Sequence, residues 1–215
     1  MWRLFRSQPK NPAIAALNRH RRQFDARMPQ IITLLPKLSE TFAQGRDYLY
    51  DRGIREVVCE YDARAGSQIV AQMDDAKVAA LSDDIVAVML YSFHRVCAAL
   101  YPASPLFAAR LTDALHFEMY QRLPTPDVGV SAYLAYQNPH FEDPKVAYAF
   151  RFGQRAGAIM ATLDTPFLLM LAQRAPLIVE TAEKLTRFVL FNEPITGKSS
   201  TDRSDAQMDM TGATP

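Results

Sequence analysis

"DDIVAVMLYSFHRVCAAL", residues 83 to 100, decides the fold class. Its apolar side chains fall on nearly every face of a helical wheel, and a helix apolar all round is one that other helices surround. Ile85, Met89, Phe93, Val96 and Leu100 are therefore the expected core of a bundle built around this segment. His94 and Arg95 stand in the middle of the run, which argues against a membrane span. His94 shares a face with Ala87, Tyr91 and Ala98, so a hydrogen-bonded histidine between helices is expected.

Outward from this segment the helix starts are marked by a repeated pair. Asn11-Pro12, Ser104-Pro105, Asp143-Pro144 and Thr165-Pro166 each put a capping side chain before a proline. The cap oxygen accepts an otherwise unpartnered N–H of the first turn, and proline at the first helical position has no N–H to lose. The pattern predicts helices over 12–28, 36–52, 83–100, 105–123, 144–163, 166–174 and 177–191. Gly53 is expected to end the second as a C-terminal glycine. Pro29 and Pro36 are expected to break or kink the chain between the first two, and Pro176 to kink the last pair apart.

One segment reads differently. "EVVCEYD" (56–62) alternates and is β-branched, "QIVAQM" (68–73) follows, and a glycine-containing turn lies between them. That pattern predicts a β-hairpin over about 55–73. The expected fold is thus mainly α: a compact helical domain of six or seven helices, residues 12–193, with one inserted hairpin. A basic arm (1–11) precedes it and a polar, disordered tail (194–215) follows. Residues 124–143 form a long connection rich in proline and aromatics, the kind that serves as a lid or contact surface.

At 215 residues the chain can bury a sizeable core without a staple, and 49% hydrophobic with 22% charged residues is ordinary globular composition. Cys59 and Cys97 show no paired or metal-ligand spacing and read as free thiols, which points to a reducing, cytoplasmic setting. The apolar run Ala13–Leu17 is too short for a secretory signal.

Charge is unevenly spread. Residues 1–37 hold eight Lys/Arg against Asp25 alone, leaving 16 basic against 22 acidic side chains elsewhere. Arg19 and Arg22 form the basic face of the first helix while Arg21 falls within its apolar stripe, and the three are a candidate contact for an anionic lipid surface or nucleic acid. The plain alternative is a solvated helix face, and no second basic segment or reading motif accompanies it.

Gly197-Lys198-Ser199 resembles the end of a phosphate-binding loop but lacks its context. The first glycine of that motif is replaced by Asn192, Pro194 removes a donor, and the preceding 181–191 segment has helical, not strand, spacing. No nucleotide is expected. Nor is a metal or other cofactor: the four histidines lie on different segments, and no pair has the spacing of a helical metal motif.

Two features carry chemistry. Asp113, His116 and Tyr120 are spaced i, i+3, i+7 on one helix face, usable as an acid–base unit, though a solvated face is the plainer reading. Glu118 is expected to pair with Arg122 one turn on. On helix 144–163 the small residues Ala149, Gly153, Gly157 and Ala161 recur every four positions and form a groove. Close crossing by another helix explains it most simply. A ligand or a partner's helix would use it too, so Gly153 and Gly157, with Tyr133, Tyr136 and Phe141 of the long loop, are candidate contacts.

These observations favour a non-enzymatic interaction or regulatory module that binds another protein or itself, as a subunit of a larger assembly. A helical small-molecule-binding protein or enzyme using Asp113, His116 and Tyr120 is the alternative, and a peripheral membrane or nucleic-acid binder the second.

Overall fold

The computed structural model describes residues 11–19, 26–122, 132–136 and 144–195. The chain is mainly helical, and among the described residues there is no strand. The helices are α1 (Pro12–Arg19), α2 (Arg27–Tyr50), α3 (Glu56–Ala65), α4 (Asp75–Leu100), α5 (Pro105–Arg122), α6 (Pro144–Met160) and α7 (Thr165–Phe191). No described helix is long and apolar enough to cross a membrane.

α4 is the central element, packed by α2, α5, α6 and α7. Ile85, Met89, Phe93 and Val96 are buried as their positions predict, while Leu100 at the last turn is half-buried. Asp74 caps α4 by accepting from the Lys77 N–H at 2.8 Å, so the helix starts eight residues before the expected position 83. The buried serine and threonine hydroxyls inside the bundle are satisfied locally. The hydroxyls of Ser92, Thr112 and Thr186 each donate, at 2.8 Å, to the carbonyl four residues back.

The expected hairpin is absent. Residues 56–65 form α3, and 70–72 make a single 3₁₀ turn. The reason lies just upstream: Ile54, Val57, Val58 and Tyr61 are spaced i, i+3, i+4, i+7, a helical stripe, and the first three are buried. Three i,i+4 ion pairs, Asp51–Arg55, Arg52–Glu56 and Glu60–Arg64, lie along the segment. Exposed to water as they are, such pairs support the helix only weakly. Gly66, at φ 65°, ends α3, and its N–H bonds the Asp62 carbonyl at 3.0 Å. The Asp62 carboxylate then gathers the Ser67 hydroxyl and the N–H groups of Ile69 (3.0 Å) and Val70 (2.8 Å), shaping the turn expected to join two strands.

Gly53 does not end α2. A π-helical segment, Asp51–Arg55, joins α2 to α3, so helical backbone runs from Arg27 to Ala65. Gly53 is buried there against α7, where a Cβ would sit 2.7 Å from Ile178 Cδ1. The prolines break less than expected. Pro29 falls in the first turn of α2, where its missing N–H has no partner, and α2 and α7 continue through Pro36 and Pro176. At α7 the cap is Asp164, which accepts from the Phe167 N–H at 3.2 Å, one residue earlier than the Thr165-Pro166 reading.

Candidate functional site

α1 lies across α5, and between them is a cavity of about 570 Å³ with a mainly apolar wall. Pro12, Ala13, Ala16 and Arg19 line it from α1; Arg110, Asp113, His116, Phe117 and Tyr120 line it from α5. Each set recurs at three- and four-residue intervals, so two facing helical stripes enclose the space. The three residues singled out by spacing on α5, Asp113, His116 and Tyr120, therefore share one cavity. His116 is buried, Asp113 half-buried and Tyr120 exposed, which grades the wall from floor to mouth.

One side chain holds the cavity together. Asn11 Oδ1 caps α1 by accepting from the N–H groups of Ala13 (3.1 Å) and Ile14 (3.3 Å). Its amide nitrogen donates across to the Ala114 carbonyl (3.0 Å) and to Glu118 Oε1 (3.1 Å) on α5. Capping and docking of α1 are thus functions of the same residue. Ala13 and Leu17 are buried and supply the apolar part of the contact. Glu118 takes this hydrogen bond in place of the expected pairing with Arg122, whose Nε donates to Ser39 Oγ at 2.7 Å.

The charge within the cavity is carried by Arg19, Arg110 and Asp113. Asp113 Oδ2 lies 3.9 Å from Arg110 Nη1, the outer limit of an ion pair. Burial pushes the Asp113 carboxyl above its ordinary range, and Arg110 draws it partly back. Tyr133 on the 3₁₀ segment Ala132–Tyr136 is pushed up to about 12 by burial and by the Asp113 charge. Against Tyr133 lies the His94 ring, 5.2 Å between centroids. His94 Nδ1 is 3.3 Å from Thr112 Oγ1, whose own proton goes to the Ala108 carbonyl, so Nδ1 is the donor.

A second polar cluster joins α4, the 132–136 segment and α6. Asp84 is 2% exposed and accepts from the Tyr136 hydroxyl and from Arg155 Nε, both at 2.5 Å. Burial pushes the Asp84 carboxyl up, against the opposing pull of Arg155 and Tyr136. The Tyr136 hydroxyl is pushed well up by burial and the adjacent carboxylate, and stays a donor. Beside it Arg95 lies over the rings of Tyr91 (5.8 Å) and Tyr148 (5.7 Å) and pairs with Glu183 at 3.2 Å. These groups fill their own surroundings and clamp helices together.

The other sequence candidates fall elsewhere. Gly153 and Gly157 face α7 of the same chain: a Cβ at 153 would lie 2.9 Å from the Leu168 carbonyl oxygen, and one at 157 would lie 2.5 Å from Leu168 Cδ2. The small-residue groove is filled by α7 and leaves no room there for a ligand or a partner's helix. Tyr133 and Tyr136 point into the core instead of offering a contact surface. Phe141, Arg21, Arg22, the Gly197-Lys198-Ser199 triplet, most of the basic arm (1–10) and most of the tail (196–215) lie outside the described residues. Among the described residues no three His, Cys, Asp or Glu side chains converge as metal ligands. Both cysteines are free, Cys59 exposed and Cys97 buried, and burial pushes the Cys97 thiol up.

Comparison with protein-family models, with curated proteins and with solved structures finds no match for this chain.

Proposed function

We propose that the protein is a helical small-molecule-binding module, with the α1–α5 cavity as its site. The observation that supports this reading is the cavity itself, of about 570 Å³, mainly apolar, with Asp113, His116 and Tyr120 on its wall. Ligand sites are commonly concave, apolar and a few hundred Å³ in volume, with a small number of placed polar groups. The reading favoured by the sequence, a protein-interaction or self-association module, draws less support from the packing: Gly153 and Gly157 meet α7, and Tyr133 and Tyr136 are core residues. A regulatory role remains compatible with ligand binding, since the cavity is roofed by α1, which leads directly into the basic segment around Arg21 and Arg22. A reducing compartment such as the cytoplasm suits the two free thiols.

The test is a native mass spectrum of the purified protein beside a thermal-shift screen of a small-molecule library. Both are repeated on Ala16→Phe, which places a ring in the cavity from the α1 side. Retained mass, or stabilisation by compounds, that the variant loses supports the reading. Compounds that stabilise both proteins equally, with no retained mass, sink it.

A further inference from the structure

Resting on that reading, we infer that the ligand is a single-chain amphiphile with a carboxylate head, its chain lying against the apolar wall and its head drawn by Arg19 and Arg110. Charge complementarity within the cavity selects the head. Two guanidinium groups and one carboxylate carry the formal charge of the lining. The single carboxylate, Asp113, is already matched by Arg110 at 3.9 Å. That separation leaves most of the five N–H donors of Arg110 available, and a planar guanidinium is the side chain best shaped to take a carboxylate by two parallel hydrogen bonds.

The wall selects the body. Pro12, Ala13, Ala16 and Phe117 are apolar, so this wall suits a hydrocarbon body better than a compact polar group. A volume of about 570 Å³ exceeds what a small inorganic anion needs. The Tyr120 side chain lies on the same wall, and its hydroxyl offers a hydrogen bond without adding negative charge. A cationic head would meet two arginines and gain only one shared carboxylate.

The experiment titrates three twelve-carbon probes below their micellar concentrations by calorimetry: dodecanoate, dodecan-1-ol and dodecyltrimethylammonium. Dodecanoate is expected to bind about tenfold or more tighter than the alcohol, as befits a charge-assisted pair. The cation is expected to bind weakest. Decanoate should bind more weakly than dodecanoate by about fourfold per methylene removed. Arg19 and Arg110 are both exposed, so the double variant Arg19→Glu/Arg110→Glu should fold normally. In it the preference for dodecanoate over the alcohol is expected to vanish while the alcohol's own affinity holds.

Equal binding of acid and alcohol to the native protein overturns the carboxylate assignment, as does an acid preference that survives the double variant. If Ala16→Phe still blocks the probes in either case, the cavity stands as a binding site and only its ligand class falls. Probe binding that Ala16→Phe leaves unchanged removes the cavity itself. No binding by any probe overturns the amphiphile, and the library screen then decides separately whether the cavity binds anything. Circular dichroism of Ala16→Phe fixes that its fold is retained before any of these outcomes is read.

Discussion

Arg155 of α6 donates through Nε to the Asp84 carboxylate of α4 at 2.5 Å, where Asp84 is almost completely enclosed and Arg155 keeps 40% of its side chain exposed. The pair is therefore lopsided: one ion could return to water and the other could not. Arg155→Met keeps much of the apolar stem but leaves Asp84 with the Tyr136 hydroxyl as its remaining partner among the described residues. Breaking a fully buried pair costs about 3–5 kcal/mol, and exposure of Arg155 brings the expectation down to about 2–3. Burial already holds the Asp84 carboxyl above its ordinary value of 3.8, and losing Arg155 raises it further. A raised carboxyl stabilises the fold while protonated, and that contribution is lost as pH climbs through the folded-state value. The cost of Arg155→Met should thus be larger at pH 7.5 than at pH 4.5 by urea denaturation. Equal costs at both would show that Asp84 is not the group left stranded.

Gly153 and Gly157 separate two kinds of crowding on α6. Alanine at either position gains about 1 kcal/mol of helix propensity. At 153 the new Cβ would meet the Leu168 carbonyl oxygen at 2.9 Å, which is α7 backbone and cannot turn away. At 157 the closest atom, at 2.5 Å, is a methyl of Leu168, which can change rotamer, though the Thr162 carbonyl stands at 3.2 Å. With overpacking costing about 1–3 kcal/mol, Gly153→Ala should be net destabilising by about 1–2 kcal/mol and Gly157→Ala closer to neutral. Denaturant midpoints of the two variants make the comparison, and the reverse order would mean that α6 and α7 cross differently.

What was readable in the sequence was local. Pro105 and Pro144 mark the starts of α5 and α6, and Asn11 caps α1 as its place before Pro12 implies. The alternation at 56–62 misled because the window began after Ile54; with that residue included the spacing is helical. Gly53 looked like a helix stop, but its smallness serves Ile178, 125 positions on, and no local pattern carries that. The same limit divided the site. The α5 stripe was legible from the spacing of Asp113, His116 and Tyr120, whereas the α1 half depends on Asn11 reaching Ala114 over 103 positions. Nothing local singles out Asp84 either, since its partner Arg155 stands 71 residues away.

His94 should make the protein sensitive to mild acid. Burial lowers its pKa from the ordinary 6.5, and the Ala108 carbonyl offsets only part of that. A histidine depressed in the folded state contributes stability above its unfolded value, and that contribution is lost as pH falls through the folded-state value. His94→Gln retains an amide donor for Thr112 and does not titrate. From pH 7 downward through 6.5 the native protein should lose stability relative to this variant, measured as paired thermal midpoints. Parallel curves would remove His94 as the titrating group.

Asn11 tests whether α1 is a docked roof or merely an adjacent helix. Asn11→Asp keeps the oxygen that caps Ala13 and Ile14 but removes the amide donor and sets a second carboxylate beside Glu118 and the Ala114 carbonyl. Asn11→Ala removes both functions. Capping is worth about 1 kcal/mol and each cross-helix hydrogen bond about as much again. If docking depends on the amide, hydrogen exchange in α1 should quicken in both variants, by about tenfold or more in Asn11→Asp. The rest of the bundle should stay better protected, because α1 packs chiefly on α5 whereas α4 is packed by α2, α5, α6 and α7. Any small molecule held between α1 and α5 should slow exchange in α1 of the native protein and do so less in Asn11→Asp, since binding must then also restore the docked helix. Exchange in α1 that is the same in Asn11→Asp and the native protein would mean that the buried Ala13 and Leu17 alone hold α1 in place, and that Asn11 acts only as a cap.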